Sequence, residues 1–165
     1  MDLKFKADLP YPETDITEKS PFEVRLLMPA YGGSGSETTA IMTYIYQAYV
    51  LGKTYPEIAT ALENISMTEM HHHEILGEAI VALGGTPYIG GNRNFWQGGF
   101  VNYTRNVSEI IKADIIGEKE AIKYYNEIAD RTQMESVRKM VERIILDEEI
   151  HVATLNEIQD MLKAQ

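Results

Sequence analysis

Two short stretches constrain this chain more than any other feature: "EMHH" at Glu69 to His72, and "EEIH" at Glu148 to His151. Each sets a carboxylate and an imidazole three residues apart, a spacing that puts both on one face of a helix. In both cases the rest of that face is apolar. Ile58, Leu62, Ile65, Glu69, His72, Leu76, Ile80 and Leu83 recur at intervals of three and four, which predicts one long helix ended by Gly84 and Gly85. Val137, Val141, Ile144, Glu148, His151, Leu155, Ile158 and Leu162 form the same pattern later in the chain. Two further stripes carry one carboxylate each. Glu37 opens a helix that begins near Ser34 or Ser36 and stops at Gly52. Glu118 interrupts the face Val107, Ile111, Asp114, Ile115, Ala121, Tyr125 and Ile128 of a helix capped by Asn106 or Ser108.

An unpaired carboxylate inside an apolar core is very costly, so these positions require protons, partners or metal. The pattern also repeats. "ETTAIMTY" and "EKEAIKYY" both follow Glu with Ala at i+3 and Tyr at i+7, giving Glu37, Ala40 and Tyr44 against Glu118, Ala121 and Tyr125. Glu37 precedes Glu69 by 32 positions and Glu118 precedes Glu148 by 30. A pseudo-twofold pair of helical hairpins is the simplest explanation.

No segment alternates with period two over a useful length, so the fold class is all-α, a four-helix bundle. Residues 84–105 hold six glycines and the single tryptophan and break all periodicity. A connection of this length carries the chain along a bundle as a crossover between helices two and three. A simple up-down-up-down bundle is the alternative, but compact bundles use loops of roughly 2–8 residues. A polar turn near Asp130 to Gln133 joins the last two helices, and no fifth helix follows the fourth. The expected organisation is an irregular N-terminal arm over 1–34 and the bundle over 35–165. Within the arm, "SPFEVRLLM" can form a short helix with Ser20 as cap and Pro21 in its first turn.

Composition narrows the chemistry. The chain has 165 residues and no cysteine. That excludes disulfides, zinc–thiolate sites, iron–sulfur clusters and a fused rubredoxin module. A formal charge of -10 disfavours nucleic acid and anionic membranes as partners. No run approaches membrane-spanning length and the N-terminus lacks the apolar core of a secretory signal, so a cytoplasmic location is expected.

The resemblance then becomes specific. Four carboxylates and two Glu-x-x-His imidazoles match the ligand set of ferritin-like di-iron and di-manganese proteins. "ETTAIMTY … EMHHHEILGEAIVALGGTP … ADIIGEKEAI … ILDEEIH" resembles bacterioferritin along most of residues 35–160. "YGGSGSETTAIMTYIYQ" resembles the opening of manganese-catalase-like spore-coat proteins, and rubrerythrin shares the ligand frame. The resemblance implies two Fe or two Mn ions per subunit. Glu69 and Glu148 would bridge them; Glu37 and His72 would complete one coordination sphere, Glu118 and His151 the other. Asp147 and Asp114 are candidates to accept the second N–H of a ligating histidine. Tyr44 and Tyr125 would bond near the metals or supply electrons, or else serve as core aromatics. Met70 matches the position of a haem-binding methionine in bacterioferritin, but methionine is a common core residue and haem is not expected. Glu149 is a candidate extra carboxylate, but its place next to Glu148 on a helix favours solvent exposure. His71 and His73 sit about 100° either side of His72 and cannot share its direction. The implied activity is a redox reaction on hydrogen peroxide or dioxygen by a homo-oligomer, with an external electron donor if the metal is iron. Ferroxidase and iron storage is the alternative, and a structural or coat protein with a vestigial site is the third reading.

Overall fold

A computed structural model describes residues 3–13 and 15–164. The ends of the two expected units at residues 1, 2 and 165, and residue 14 of the arm, lie outside them. Five α-helices follow in order: α1 (Pro21–Gly32), α2 (Glu37–Leu51), α3 (Pro56–Ala82), α4 (Val107–Arg131) and α5 (Glu135–Lys163). No strand forms among the described residues; a single bridge, Gly90 to Phe95, lies in the crossover. The four long helices α2 to α5 make a ferritin-like bundle, in which α2 packs on α3 and α4 packs on α5.

The helix boundaries follow from local chemistry. Ser20, Ser36 and Asn106 sit in extended backbone, and their side chains accept from the amides of Glu23, Thr39 and Glu109. Gly84 adopts φ 86 just beyond α3, a conformation that favours glycine. α4 runs through Asp130 and Arg131, past the start of the polar turn expected there. The Thr132 amide still bonds Ile128 O, and the Arg138 guanidinium caps the helix end at Ala129 O and Thr132 O.

Two apolar cores lie at opposite ends of the bundle. One gathers Leu76, Ile80, Ile128, Val137, Met140 and Ile144; the other gathers Ile58, Leu62, Ile65, Ile111, Leu155 and Ile158. The four carboxylates and two imidazoles fall between them. The order of the cores along each helix makes α2 and α5 parallel, and α3 and α4 parallel. The chain therefore has to cross the length of the bundle between α3 and α4, as residues 83–106 do. α2 starts at the level of the polar layer, so it contributes nothing to the first core. α1 fills that place with Leu26, Leu27 and Tyr31.

α1 extends beyond "SPFEVRLLM" through Pro29. Proline cannot donate to Arg25 O. That carbonyl accepts instead from Asn92 Nδ2 of the crossover, at 2.8 Å. The last turn of α1 presses on the crossover so closely that a Cβ on Gly32 would overlap Gly90 N.

Glu23 of α1 is fully buried and secures the α4–α5 turn, accepting from Thr132 Oγ1 and Gln133 N at 2.8 Å each. Replacing it with alanine removes the acceptor of the Gln133 amide and the shorter of the two bonds that Thr132 Oγ1 donates. Glu23→Ala should lower unfolding free energy by about 1–3 kcal/mol, measured by urea denaturation.

Candidate metal centre

α3 and α5 each present one Glu-x-x-His turn to the bundle interior, and α2 and α4 each present one Glu. All six side chains are buried. The two imidazoles face the cluster with the same nitrogen. His72 Nδ1 lies 2.9 Å from Glu69 Oε2, 3.2 Å from Glu148 Oε1 and 3.8 Å from Glu37 Oε2. His151 Nδ1 lies 3.1 Å from Glu69 Oε1, 3.1 Å from Glu148 Oε2 and 3.7 Å from Glu118 Oε1. The two halves of the chain thus build matching halves of one site.

The far nitrogens settle the tautomer. His72 Nε2 is 3.1 Å from Asp147 Oδ2, and His151 Nε2 is 2.8 Å from Phe5 O. An ionised carboxylate and a carbonyl only accept, so each Nε2 carries hydrogen. Removing one proton from either ring leaves the Nδ1 lone pair aimed at the cluster.

The donors form two sets, Glu37, Glu69, His72 and Glu148, and Glu69, Glu118, Glu148 and His151. Within each set one ligand atom from every residue lies within 4.8 Å of the others. Glu69 and Glu148 belong to both. Glu69 Oε1 is fully buried, and its one close polar neighbour, His151 Nδ1 at 3.1 Å, is out of line for a hydrogen bond. Three carboxylates and one imidazole per set suit Fe or Mn, and a shared pair of carboxylates suits two ions side by side. The residues therefore fit a dinuclear centre.

Electrostatics agree. Burial, and then the charges of Glu69 and Glu148, push Glu37 and Glu118 well above the ordinary carboxylate range. Burial would also raise Glu69, but His151 and His72 outweigh it and hold Glu69 well below that range. Burial alone would lower the imidazoles, yet the surrounding carboxylates raise both well above the usual histidine value.

Tyr44 and Tyr125 cross the repeat. Tyr44 on α2 donates to Glu118 Oε1 on α4, and Tyr125 on α4 donates to Glu37 Oε1 on α2. Asp147 is the acceptor behind His72. Asp114 is not behind His151; it accepts from Gln47 Nε2 at 2.8 Å, one helical turn from Glu118. His71 pairs with Glu74 at the surface, and His73 stacks on Tyr31 at 4.1 Å. Met70 and Glu149 are exposed and join neither donor set.

Residues 3–13 form a strap across the α3–α5 side, a role that sequence reasoning missed. Asp147 anchors it, accepting from Ala7 N, Tyr11 Oη and Arg143 Nη1 besides His72. Arg143 is itself buried, donating to Leu9 O at 2.6 Å and Ala7 O at 3.0 Å with its guanidinium 4.1 Å from the Tyr11 ring centre. The available signals were Tyr11 in the arm itself and an arginine, Arg143, one turn before Asp147 on α5.

Residues 33–159 match the rubrerythrin family model. The chain belongs to the rubrerythrin family. Among solved structures, a manganese catalase from Anabaena PCC7120 superposes with a TM-score of 0.86 at 22% identity, covering 98% of this chain and 81% of its own. Desulfovibrio desulfuricans bacterioferritin aligns with a TM-score of 0.73 at 26% identity over 86% of this chain and 80% of its own. Mycobacterium tuberculosis bacterioferritin gives 0.75 at 22% identity over 89% of each chain. Comparison with curated proteins finds no significant match. Membership of this rubrerythrin family, with its ferritin-like bundle, accounts for the paired motifs. No helix among the described residues is long and apolar enough to cross a membrane.

Two predictions follow from the surroundings of the centre. Burial pushes Asp114 up to about 7, against a lowering by Gln47. An unfolded chain ionises this group at about 3.9. Between those values the native state keeps a proton that the unfolded state has lost, so this group's contribution to stability falls as pH rises through the window. Asp114→Asn cannot ionise. Its unfolding free energy should exceed that of the parent by about 1–4 kcal/mol at pH 8 and lose that advantage by pH 4, in denaturant titrations at both pH values. Separately, Arg143→Met should free the strap. Hydrogen exchange at the Ala7 amide should then accelerate at least about tenfold while α3 and α5 stay protected.

Proposed function

We propose that this protein is a dinuclear Fe or Mn oxidoreductase that consumes hydrogen peroxide, with dioxygen as the other candidate oxidant. The observation that carries the reading is the pair of overlapping donor sets sharing Glu69 and Glu148. Glu37 and His72 would complete one coordination sphere, Glu118 and His151 the other. When bound, two such ions supply or accept the two electrons that reducing or disproportionating peroxide requires.

The chain's own residues do the rest. Asp147 and Phe5 O fix the imidazoles in the tautomer that frees Nδ1. Tyr44 and Tyr125 each keep a hydroxyl proton against the outer carboxylate of the opposite half, so Glu118 and Glu37 are held in place and a proton lies beside the reacting space. The strap shields the histidine side from water. The opposite side, between α2 and α4, stays open to a small oxidant through a cleft that reaches all four glutamates. The alignment with the manganese catalase takes in nearly the whole chain, whereas the bacterioferritins align over a smaller share, which favours peroxide chemistry over iron storage. With iron, turnover needs an external electron donor; with manganese it does not. Exposed Met42, Tyr49 and Ile116 support association with further copies of the chain.

Ferroxidase activity is the second reading, favoured by the bacterioferritin fold match, and a native mass matching a large hollow shell would establish it. Protein purified without added metal should contain about two Fe or Mn ions per chain by elemental analysis. Glu69→Ala and His151→Ala should each reduce bound metal and lower peroxide turnover by more than the about 10–100-fold that follows loss of a supporting partner. Unchanged metal content in both variants would sink the site assignment.

A further inference from the structure

α2 and α4 meet through the side chains of Tyr44, Gln47 and Tyr125 rather than through close backbones, and the cleft they line has a volume of about 530 Å³. Hydrogen peroxide needs little more room than one or two waters, about 30 Å³ each. This half-open cleft has room for an organic group as well as for a peroxide. Its walls are small and mostly apolar, with Ala40 on α2, Ala113, Gly117 and Ala121 on α4, and Phe100 from the crossover. Its floor is the glutamate cluster. Gly117 lies inside a helix, where glycine costs about 0.5–1 kcal/mol relative to alanine. Nothing lies within 4 Å of a Cβ built on it, so packing does not demand glycine there. Gly117 is exposed, and a side chain built there would enter the open space of the cleft that it lines.

The cleft also carries a polar edge. Asp114, one turn along α4 from Glu118, lines it and keeps only 7% of its surface exposed. Its Oδ1 accepts from Gln47, and its Oδ2 is closed off from solvent. The remaining edge of Asp114 is what a group lodged in the cleft would meet.

We propose that the cleft binds an organic hydroperoxide, with its alkyl or aryl group against the alanine and Phe100 walls, its oxygens toward the carboxylate floor, and Asp114 as the polar contact that orients it. The proposal rests on the peroxide-consuming reading of the centre and names a substrate class for it. The hydroperoxide would take up two electrons, which a reduced metal pair held by the six glutamate and histidine side chains would supply, and two protons from solvent. Its O–O bond breaks, and an alcohol and water leave. A one-electron reductant, ascorbate in the assay below, restores the metal pair.

Trp96 is the only tryptophan. Its Nε1 donates to Thr39 Oγ1 at 2.9 Å and its ring lies 6.4 Å from that of Phe100; Thr39 and Phe100 both line the cleft. Tryptophan fluorescence therefore reports occupancy without any turnover. Metal-free protein titrated with 2-phenyl-2-propanol, the alcohol product of cumene hydroperoxide, should give a saturable fluorescence change. Gly117→Leu should weaken that binding about tenfold or more, and should lower the ratio of cumene hydroperoxide to hydrogen peroxide turnover by a similar factor in metal-loaded protein with ascorbate. Ala113→Leu should act in the same direction from the neighbouring turn, and circular dichroism checks that both variants fold. If the parent consumes hydrogen peroxide yet shows neither saturable binding nor cumene hydroperoxide turnover, the organic-substrate proposal is wrong and the peroxide reading stands. If the alcohol binds but neither peroxide is consumed, the peroxide reading fails and takes this proposal with it.

Discussion

Six ionisable side chains, four glutamates and two histidines, share one buried layer, and the rest of the structure is organised around keeping them there. Leaving such groups unpaired in an apolar interior is prohibitive, and even paired charges must recover a large desolvation penalty through good geometry. The protein meets this in two ways. It places the groups so that every imidazole nitrogen and most carboxylate oxygens have partners. It then locks the layer between two apolar cores, so that no helix can slide without opening one of them. α1 belongs to this logic. Because α2 begins at the level of the layer, the first core would lack a wall without Leu26, Leu27 and Tyr31.

The repeat gives the layer its symmetry, and the segments outside the repeat break it. The inner half of each site is twofold: Nδ1 against the same pair of glutamates, and a tyrosine reaching across to the opposite outer carboxylate. The outer half is not. Behind His72 stands a carboxylate, Asp147, held by Arg143; behind His151 stands only a backbone carbonyl of the strap. An imidazole backed by a negative charge is the more basic of the two. The two halves of the layer are therefore electronically unequal even though their inner side chains match.

Much of this was legible in the sequence, because a helix converts spacing into direction. Glu69, His72, Glu148 and His151 declare themselves by interrupting apolar stripes at i and i+3, and Glu37 and Glu118 by the repeat that carries Ala and Tyr behind them. Asp147 could be picked out as a carboxylate beside a Glu-x-x-His turn. Asp114 could not be resolved the same way, because its direction depends on which helix faces it, and that helix presents Gln47. The strap was illegible for a deeper reason. It acts largely through the main-chain groups of Phe5, Ala7 and Leu9, and every residue carries those. Only their partners leave a trace: Tyr11 and a buried Arg143 whose role makes no sense until a strand of backbone is laid over it.

The outer glutamates also differ in mechanical setting. Glu118 lies in the middle of α4, so moving its backbone means moving the helix. Glu37 is the first residue of α2, preceded by Gly33, Ser34, Gly35 and Ser36. The cap bond from Thr39 N to Ser36 Oγ is long, at 3.4 Å, and a Cβ on Gly35 would meet nothing within 4 Å. The positive end of the α2 dipole favours an ionised Glu37, whereas burial opposes it. The first turn of α2 is instead held from outside the helix: Thr38 Oγ1 donates to Tyr31 O at 2.8 Å, and Thr39 Oγ1 donates to Gly33 O at 3.2 Å and accepts from Trp96 Nε1 at 2.9 Å. Side-chain bonds to α1 and the crossover thus do for Glu37 what helix continuity does for Glu118.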